Sequence, residues 1–405
     1  MGTQGHKVLR LRSRAPHLQS PMNSARSPRH RQALIPIVWI LGTSGVGKST
    51  LGHRLLTELE RAGVRAAFAD ADQLRLASTI DASEEDLIAA SLPDLARSFQ
   101  RNGARCLIVA GLADSDGQLR SLLPRWPRDR ILAVHLDADE ESIRRRVLER
   151  GWLTELADES AAYARRIEAG FADLRMDTSA QTPEALAQEV SHVVLDWLRR
   201  ADDQTQATID DAVGPNARRL ITITGPGGVG VSTTGYQVFA HLARSGQPVG
   251  YVDATQLGHL GSRSRAADLA PVRAANARSV ARRLAEAGAS TLVVSGDASS
   301  INLIERGDGV EAHDFWLVAS ADALAERIAA SARGDGPPVQ GNHRLGLEGD
   351  ELASSIEAAV VEAQDPSPRN GRRVIDTSGA SPQAVAEEIV ALVQPGSVGG
   401  LVDSP

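Results

Sequence analysis

The sequence predicts an α/β protein built as two tandem three-layer αβα domains, each a parallel sheet with helices on both faces. Three observations predict it. An apolar run, Ile37-Val-Trp-Ile-Leu41, leads straight into a glycine-rich turn and then a helical pattern. Apolar runs then alternate with amphipathic stretches out to about Arg200, which is what parallel βαβ units require. From Leu220 the pattern begins again.

Residues 1–34 come first and stand apart. They carry Lys7, Arg10, Arg12, Arg14, Arg26, Arg29 and Arg31 with no acid, and read as a disordered basic tail. It is a solvated tail, or a leader upstream of initiation at Met22, or an arm that touches a polyanion or a partner. Within 35–200, Ile37 to Leu41 is too short a run for a helix and reads as a buried strand. Leu51, Leu55, Leu56 and Leu59 mark the helix after the glycine turn. A second strand starts at Val64 and ends at Asp70; a helix spans Leu87 to Phe99; Cys106 to Ala110 and Ile131 to Leu136 are further strands. Glu140 to Arg150 is a charged helix, and Pro183 opens the last amphipathic one. Residues 201–218, rich in Asp, Gln, Thr and Gly-Pro, form a linker.

The second domain, 219–394, repeats these signals in order, before a short tail at 395–405. Gly42 and Gly225 open equivalent turns 183 positions apart, and Phe68-Ala-Asp70-Ala-Asp72-Gln-Leu recurs as Tyr251-Val-Asp253-Ala-Thr255-Gln-Leu at the same offset. Asn102-Gly-Ala to Gly111 is echoed at Ala287-Gly-Ala to Gly296, and Asp177-Thr-Ser at Asp376-Thr-Ser. Four matches in order point to duplication.

The chemistry sits in Gly42-Thr43-Ser44-Gly45-Val46-Gly47-Lys48-Ser49, followed by Thr50. After a strand and before a helix, this spacing is a phosphate-binding loop. Glycines let backbone N–H groups wrap phosphate oxygens at a helix N-terminus, Lys48 reaches the β- and γ-phosphates, and the Ser49 hydroxyl holds Mg²⁺. ATP and Mg²⁺ are therefore the predicted cofactors. The chain contains two lysines, Lys7 and Lys48, so a Lys-poor sequence keeps one where a compact ammonium suits a phosphate. Asp70 and Asp72 close the second strand. Alternate residues there diverge, one toward the metal and one toward an acceptor hydroxyl; as solvated turn carboxylates they would do neither. Among Arg144, Arg145, Arg146 and Arg150, the pair Arg146 and Arg150 share a helix face. Either they cover the transferring phosphate, or they pair with Glu140, Glu141 and Glu149 on a solvated helix. In the second domain Val231 replaces the lysine and Thr255 replaces Asp72, so that copy reads as degenerate.

Composition narrows the remaining classes. With 405 residues and 42% hydrophobic content the chain can bury two cores. A net charge of −7 and 3% aromatic residues argue against nucleic acid, for which the basic tail is the sole candidate. No apolar run reaches 18 residues, which argues against a membrane span. Cys106, the lone cysteine, lies in an apolar run and fits a reducing, cytoplasmic setting.

The loop Gly42–Ser49, the Asp70-x-Asp72 pair with Gln73 and Arg75, and Asp177-Thr-Ser before a Pro-led helix resemble the small-molecule P-loop kinases. Adenylylsulfate, shikimate and gluconate kinases are the types concerned, adenylylsulfate kinase above all. That family carries Asp-Gly-Asp-Asn-x-Arg where this chain has Asp70-Ala-Asp-Gln-Leu-Arg75. The resemblance covers roughly 35–200 and, more weakly, 219–394. It implies the P-loop NTPase fold with a five-stranded parallel sheet, ATP·Mg²⁺, a mobile Arg-bearing lid, an acceptor hydroxyl near Asp70 and Asp72, and Arg75 on that acceptor. An Arg- and Asn-rich helix that follows in adenylylsulfate kinases is missing from the first domain; the second has Arg273-Ala-Ala-Asn276-Ala-Arg278. The expected function is an ATP-dependent phosphotransferase for a small hydroxylated or nucleotide-like acceptor, with the second domain in contact with the first, either as a scaffold that only packs on it or as a ligand-binding domain that modulates it. The alternative is a nucleotide-dependent switch without a small acceptor.

Overall fold

The computed structural model describes residues 34–149, 154–201, 217–262, 266–335, 344–369 and 371–394. The basic stretch before Leu34, the connection at 202–216, the tail at 395–405 and Arg150 lie outside them. The first half runs β1 (Ile37–Leu41), α1 (Lys48–Arg61), β2 (Ala66–Asp70), β3 (Ala77–Ser78), α2 (Glu84–Arg101), β4 (Cys106–Ala110), α3 (Asp116–Leu122), β5 (Ile131–Asp137), α4 (Glu140–Glu149), α5 (Ala157–Ala164), β6 (Leu174–Asp177) and α6 (Pro183–Ala201). The second runs β7 (Arg219–Thr224), α7 (Val231–Arg244), β8 (Val249–Asp253), β9 (His259–Leu260), α8 (Ala266–Glu286), β10 (Thr291–Ser295), α9 (Ala298–Ile301), β11 (Glu311–Val318), α10 (Ala321–Arg333), α11 (Gly349–Gln364), β12 (Arg373–Asp376) and α12 (Pro382–Val393).

The central strands are apolar from end to end because helices cover both of their faces. All five residues of β1, β2 and β4 are buried. β1 sits between β4 and β5 in parallel register, Ile37 opposite Leu107 on one side and Ile131 on the other. The helices begin where the chemistry of their caps allows. Ser83, for example, accepts from the Asp86 amide while the Asp86 carboxylate takes the Ser83 N–H, a reciprocal capping box that starts α2.

Two sheets result, in the orders β6-β5-β1-β4-β2-β9 and β12-β11-β7-β10-β8-β3, strand for strand equivalent. Each has the five parallel strands expected and a sixth that the sequence did not announce. That sixth strand is antiparallel and comes from the other half. Ala67 and Phe68 of β2 pair with Leu260 and His259 of β9, while Gly250 and Val249 of β8 pair with Ala77 and Ser78 of β3. The sheets are therefore mostly parallel rather than parallel throughout. The physical reason is the edge: β2 and β8 would otherwise present unpaired N–H and C=O groups, and each half closes the edge of the other. Thr79, directly after β3, has φ 58°, the one non-glycine in the left-handed region among the described residues.

The cores follow the same logic. The outer face of each sheet packs its own cluster, Leu51, Leu55 and Val134 in the first half and Ile221, Val238 and Phe315 in the second. The facing sides merge into one, in which Trp39, Leu92, Leu95 and Phe99 share a cluster with Ala277, Val280, Leu284 and Val294. There α2 lies against α8, and Asp94, its side chain 13% exposed, accepts from Arg282 at 3.0 Å and Arg283 at 2.8 Å. Leu76, on its way to β3, packs on the core of the second half.

Candidate active site

β1 delivers the chain to the glycine loop at the carboxyl end of the first sheet, where a parallel α/β fold places its ligands. Gly42, Gly45 and Gly47 have φ of 141°, 87° and 95°. A Cβ on Gly42 would meet the Leu136 carbonyl oxygen at 2.5 Å, so the tight passage past β5 needs glycine there. Gly47 caps α1 without a side-chain acceptor, which leaves the amides of the first turn for an anion. Lys48, the first residue of α1, curls over the loop and donates to the carbonyl oxygens of Gly42 (2.8 Å) and Thr43 (2.9 Å). The Thr43 hydroxyl turns away from the loop mouth and donates to the Ser160 carbonyl of α5 at 2.8 Å, a buried bond that ties loop to helix.

Ser49 Oγ donates to Asp70 Oδ2 at 3.0 Å. Asp70 is 5% exposed, and its second oxygen accepts the Asp72 N–H at 2.9 Å, which fixes the carboxylate toward Ser49. A hydroxyl and a carboxylate beside a phosphate loop are the two protein oxygens a Mg²⁺ ion needs when phosphates and waters complete its octahedron, so these residues fit the metal. Asp72 diverges as its position two residues on requires. It is exposed and accepts from Arg75 at 2.7 Å, and Arg75 is also bonded to Glu84. Arg75 is thus held between two carboxylates of its own half.

The Arg146 guanidinium donates to Thr178 Oγ1 at 2.9 Å and to the Thr178 carbonyl at 2.6 Å, and Thr178 Oγ1 donates to the Val46 carbonyl at 3.2 Å. The arginine thus braces the turn after β6 against the loop. Arg144 is spent on Glu140 and Asp158. Arg150 is outside the described residues. Thr178 itself stood in the sequence only as part of a repeated Asp-Thr-Ser, with no sign of the loop carbonyl it reaches. Tyr163 was also missed: its hydroxyl donates to Asp114 at 3.3 Å beyond the end of β4, and burial together with the Asp114 charge pushes its pKa up. The Gln118 side chain nearby donates to Glu85 at 2.8 Å.

The second glycine loop has the same backbone. Gly228 and Gly230 have φ of 88° and 100°, and a Cβ on Gly225 would meet the Leu317 carbonyl at 2.8 Å. Arg327 repeats the brace, donating to Thr377 Oγ1 at 2.9 Å and to the Val229 carbonyl at 3.2 Å. Asp253 keeps the Asp70 position beside Ser232 and is buried, which pushes its pKa up, with the Ser232 hydrogen bond opposing. Val231 stands where Lys48 does. Arg273 and Asn276, the Arg- and Asn-rich helix residues, are buried and engaged internally, Arg273 on Asp297 at 3.1 Å and Asn276 on the Leu257 carbonyl at 2.6 Å.

Sheet order, loop and brace together define, in each half, an α/β fold with a glycine-rich loop between its first strand and first helix. Residues 37–171 match the family model described as an AAA domain, a region that includes the first loop and Asp70. Solved structures similar to this chain include a sugar kinase from Janibacter sp. HTCC2649, 23% identical over 40% of this chain and 95% of its own, with a TM-score of 0.29. A shikimate kinase from Acinetobacter baumannii is 17% identical over 40% and 94%, TM-score 0.27. The APS kinase of Mycobacterium tuberculosis is 20% identical over 41% and 99%, TM-score 0.27. No curated protein matches the chain. Among the described residues no helix is long and apolar enough to cross a membrane.

Proposed function

We propose that the first half is an ATP-dependent phosphotransferase acting on a small hydroxylated or nucleotide-like acceptor. The observation that carries this reading is the Ser49–Asp70 contact at the mouth of the glycine loop, a hydroxyl and a buried carboxylate 3.0 Å apart. In this reading the loop amides and Lys48 bind the β- and γ-phosphates, and Ser49 and Asp70 hold Mg²⁺, which neutralises charge on the transferring group. Lys48 leaves its two carbonyl partners for the phosphates, a short swing of a flexible side chain. Asp72 positions the acceptor hydroxyl, and Arg146 keeps the loop in shape through Thr178. The chain acts in the cytoplasm, and the second half, which keeps the loop but not the lysine, regulates the first.

A nucleotide-dependent switch is the second reading, and one observation favours it. Arg75 is committed to Asp72 and Glu84, and the chain just after it enters the other sheet as β3, so the acceptor side is tied to the second half. The deciding experiment is ADP production from Mg·ATP with and without adenylylsulfate, nucleoside monophosphates, sugar acids and shikimate. Turnover stimulated by an acceptor and lost in Lys48→Ala supports the kinase. Slow turnover indifferent to every acceptor, also lost in Lys48→Ala, supports the switch.

A further inference from the structure

The second glycine loop is not open in the way the first is. The Gly227 N–H, one of its amides, donates to Glu362 Oε2 at 3.2 Å. Glu362 lies near the end of α11, 135 positions away in sequence. The guanidinium of Arg344 lies against the same glycine, where a Cβ would come within 2.5 Å of Nη2, and Arg344 donates to Ser355 on α11 at 3.4 Å. Burial, with the Asp297 charge, raises the pKa of the Glu362 carboxyl above its ordinary value, while the Gly227 N–H and the Arg344 charge oppose the shift. Among the described residues of the first half, no carboxylate is bonded to the Ser44 amide. Its helix at this place, α5, has 8 residues against the 16 of α11, and is tied to the loop by the Thr43–Ser160 bond.

We propose that the second phosphate loop is occupied by the chain itself. Glu362 takes a loop amide that a phosphate oxygen would otherwise take, and Arg344 supplies at the loop the cation that Val231 does not. A carboxylate at that distance repels an incoming polyanion, so the loop is shut to nucleotides although its glycines have kept their shape. The chain then binds one nucleotide, in the first loop, and the second half reports its state through a fixed internal anion rather than through a ligand. Removing the carboxylate uncovers a binding site for inorganic polyphosphate.

The test is titration of the full-length chain with Mg·ATP and with inorganic tripolyphosphate, followed by calorimetry. It reads binding alone, so it stands or falls separately from the phosphotransferase reading. One site is expected in the native chain and none in Lys48→Ala. Tripolyphosphate binding, absent in Lys48→Ala, is expected to return in Lys48→Ala/Glu362→Ala, because one like charge near the site has gone. Lys48→Ala/Glu362→Gln, which keeps the side-chain volume, guards against a packing defect and is expected to bind as well. Two sites in the native chain, binding that survives Lys48→Ala, or no gain in either double variant would each overturn the proposal.

Discussion

The two phosphate loops have one backbone and two fates. Both run from a buried strand past a carbonyl of the neighbouring strand, both turn on left-handed glycines, and both are braced by an arginine through a threonine (Arg146 and Thr178, Arg327 and Thr377). They part at three side chains. Val231 stands in the place of Lys48 and Thr255 in that of Asp72, and Glu362 bonds the second loop, with no counterpart over the first among the described residues. Backbone shape is thus retained where the lysine is not, because the loop is also the joint between strand and helix and its glycines serve packing.

Paired substitutions can break this comparison. Lys48→Ala is expected to lower ATP turnover about a thousandfold, roughly 4 kcal/mol of transition-state stabilisation, while Val231→Ala leaves turnover unchanged; steady-state ADP release measures both. Equal losses would mean that the second loop works too. The next effect concerns what joins the halves. Asp94→Ala leaves Arg282 and Arg283 with Glu286 alone at the α2–α8 contact, and a loss of about 1.5 kcal/mol is expected in a urea unfolding titration.

Acid sharpens the picture at the exchanged strand. His53, on the helix that leaves the first loop, meets His259 of β9 edge-on with ring centroids 4.6 Å apart, and Phe68 closes the group. Burial pushes His53 down to about 4 from 6.5, and burial with the His53 and Arg273 charges lowers His259 as well. Below pH 6.5 the unfolded chain therefore takes up protons that the folded chain refuses, and stability falls as the pH drops toward 4. At pH 5 the His53 contribution alone is about 2 kcal/mol. His53→Leu is expected to flatten that dependence, read as the urea midpoint at pH 7.5 and pH 5. The smallest effect is expected at the braces: Arg146→Ala and Arg327→Ala should each cost about 1 kcal/mol of stability, and only Arg146→Ala should weaken ATP binding. Weaker ATP binding in Arg327→Ala would show that the halves communicate through the brace.

The sequence carried the strands and both loops because those signals are local. Five consecutive apolar residues such as Ile37–Leu41, or glycines at fixed spacing before a helix, need no partner to be recognised. Asp70 was legible for the same reason, lying at the end of such a strand. The exchanged strands were not: Ala77–Ser78 and His259–Leu260 have two residues each, fewer than any period requires. Glu362 reads as one more acid on a helix, and only the fold brings it to Gly227. Arg146 had the type and place of a lid arginine, and only the fold shows the contact it makes with Thr178. Direction of a long side chain is the property that spacing leaves open.

The exchange of edge strands has a consequence for how the molecule is made. On a ribosome the first half emerges complete in its five parallel strands, yet Ala67 and Phe68 line an edge whose partner, His259–Leu260, lies some 190 residues further along the message. Ala77–Ser78 waits as a strand without a sheet over the same interval. A newly made first half therefore displays an unpaired, apolar edge, the surface that chaperones hold and that neighbouring chains on a polysome find first. That exposure ends only when the second half arrives, and each half then finishes the folding of the other.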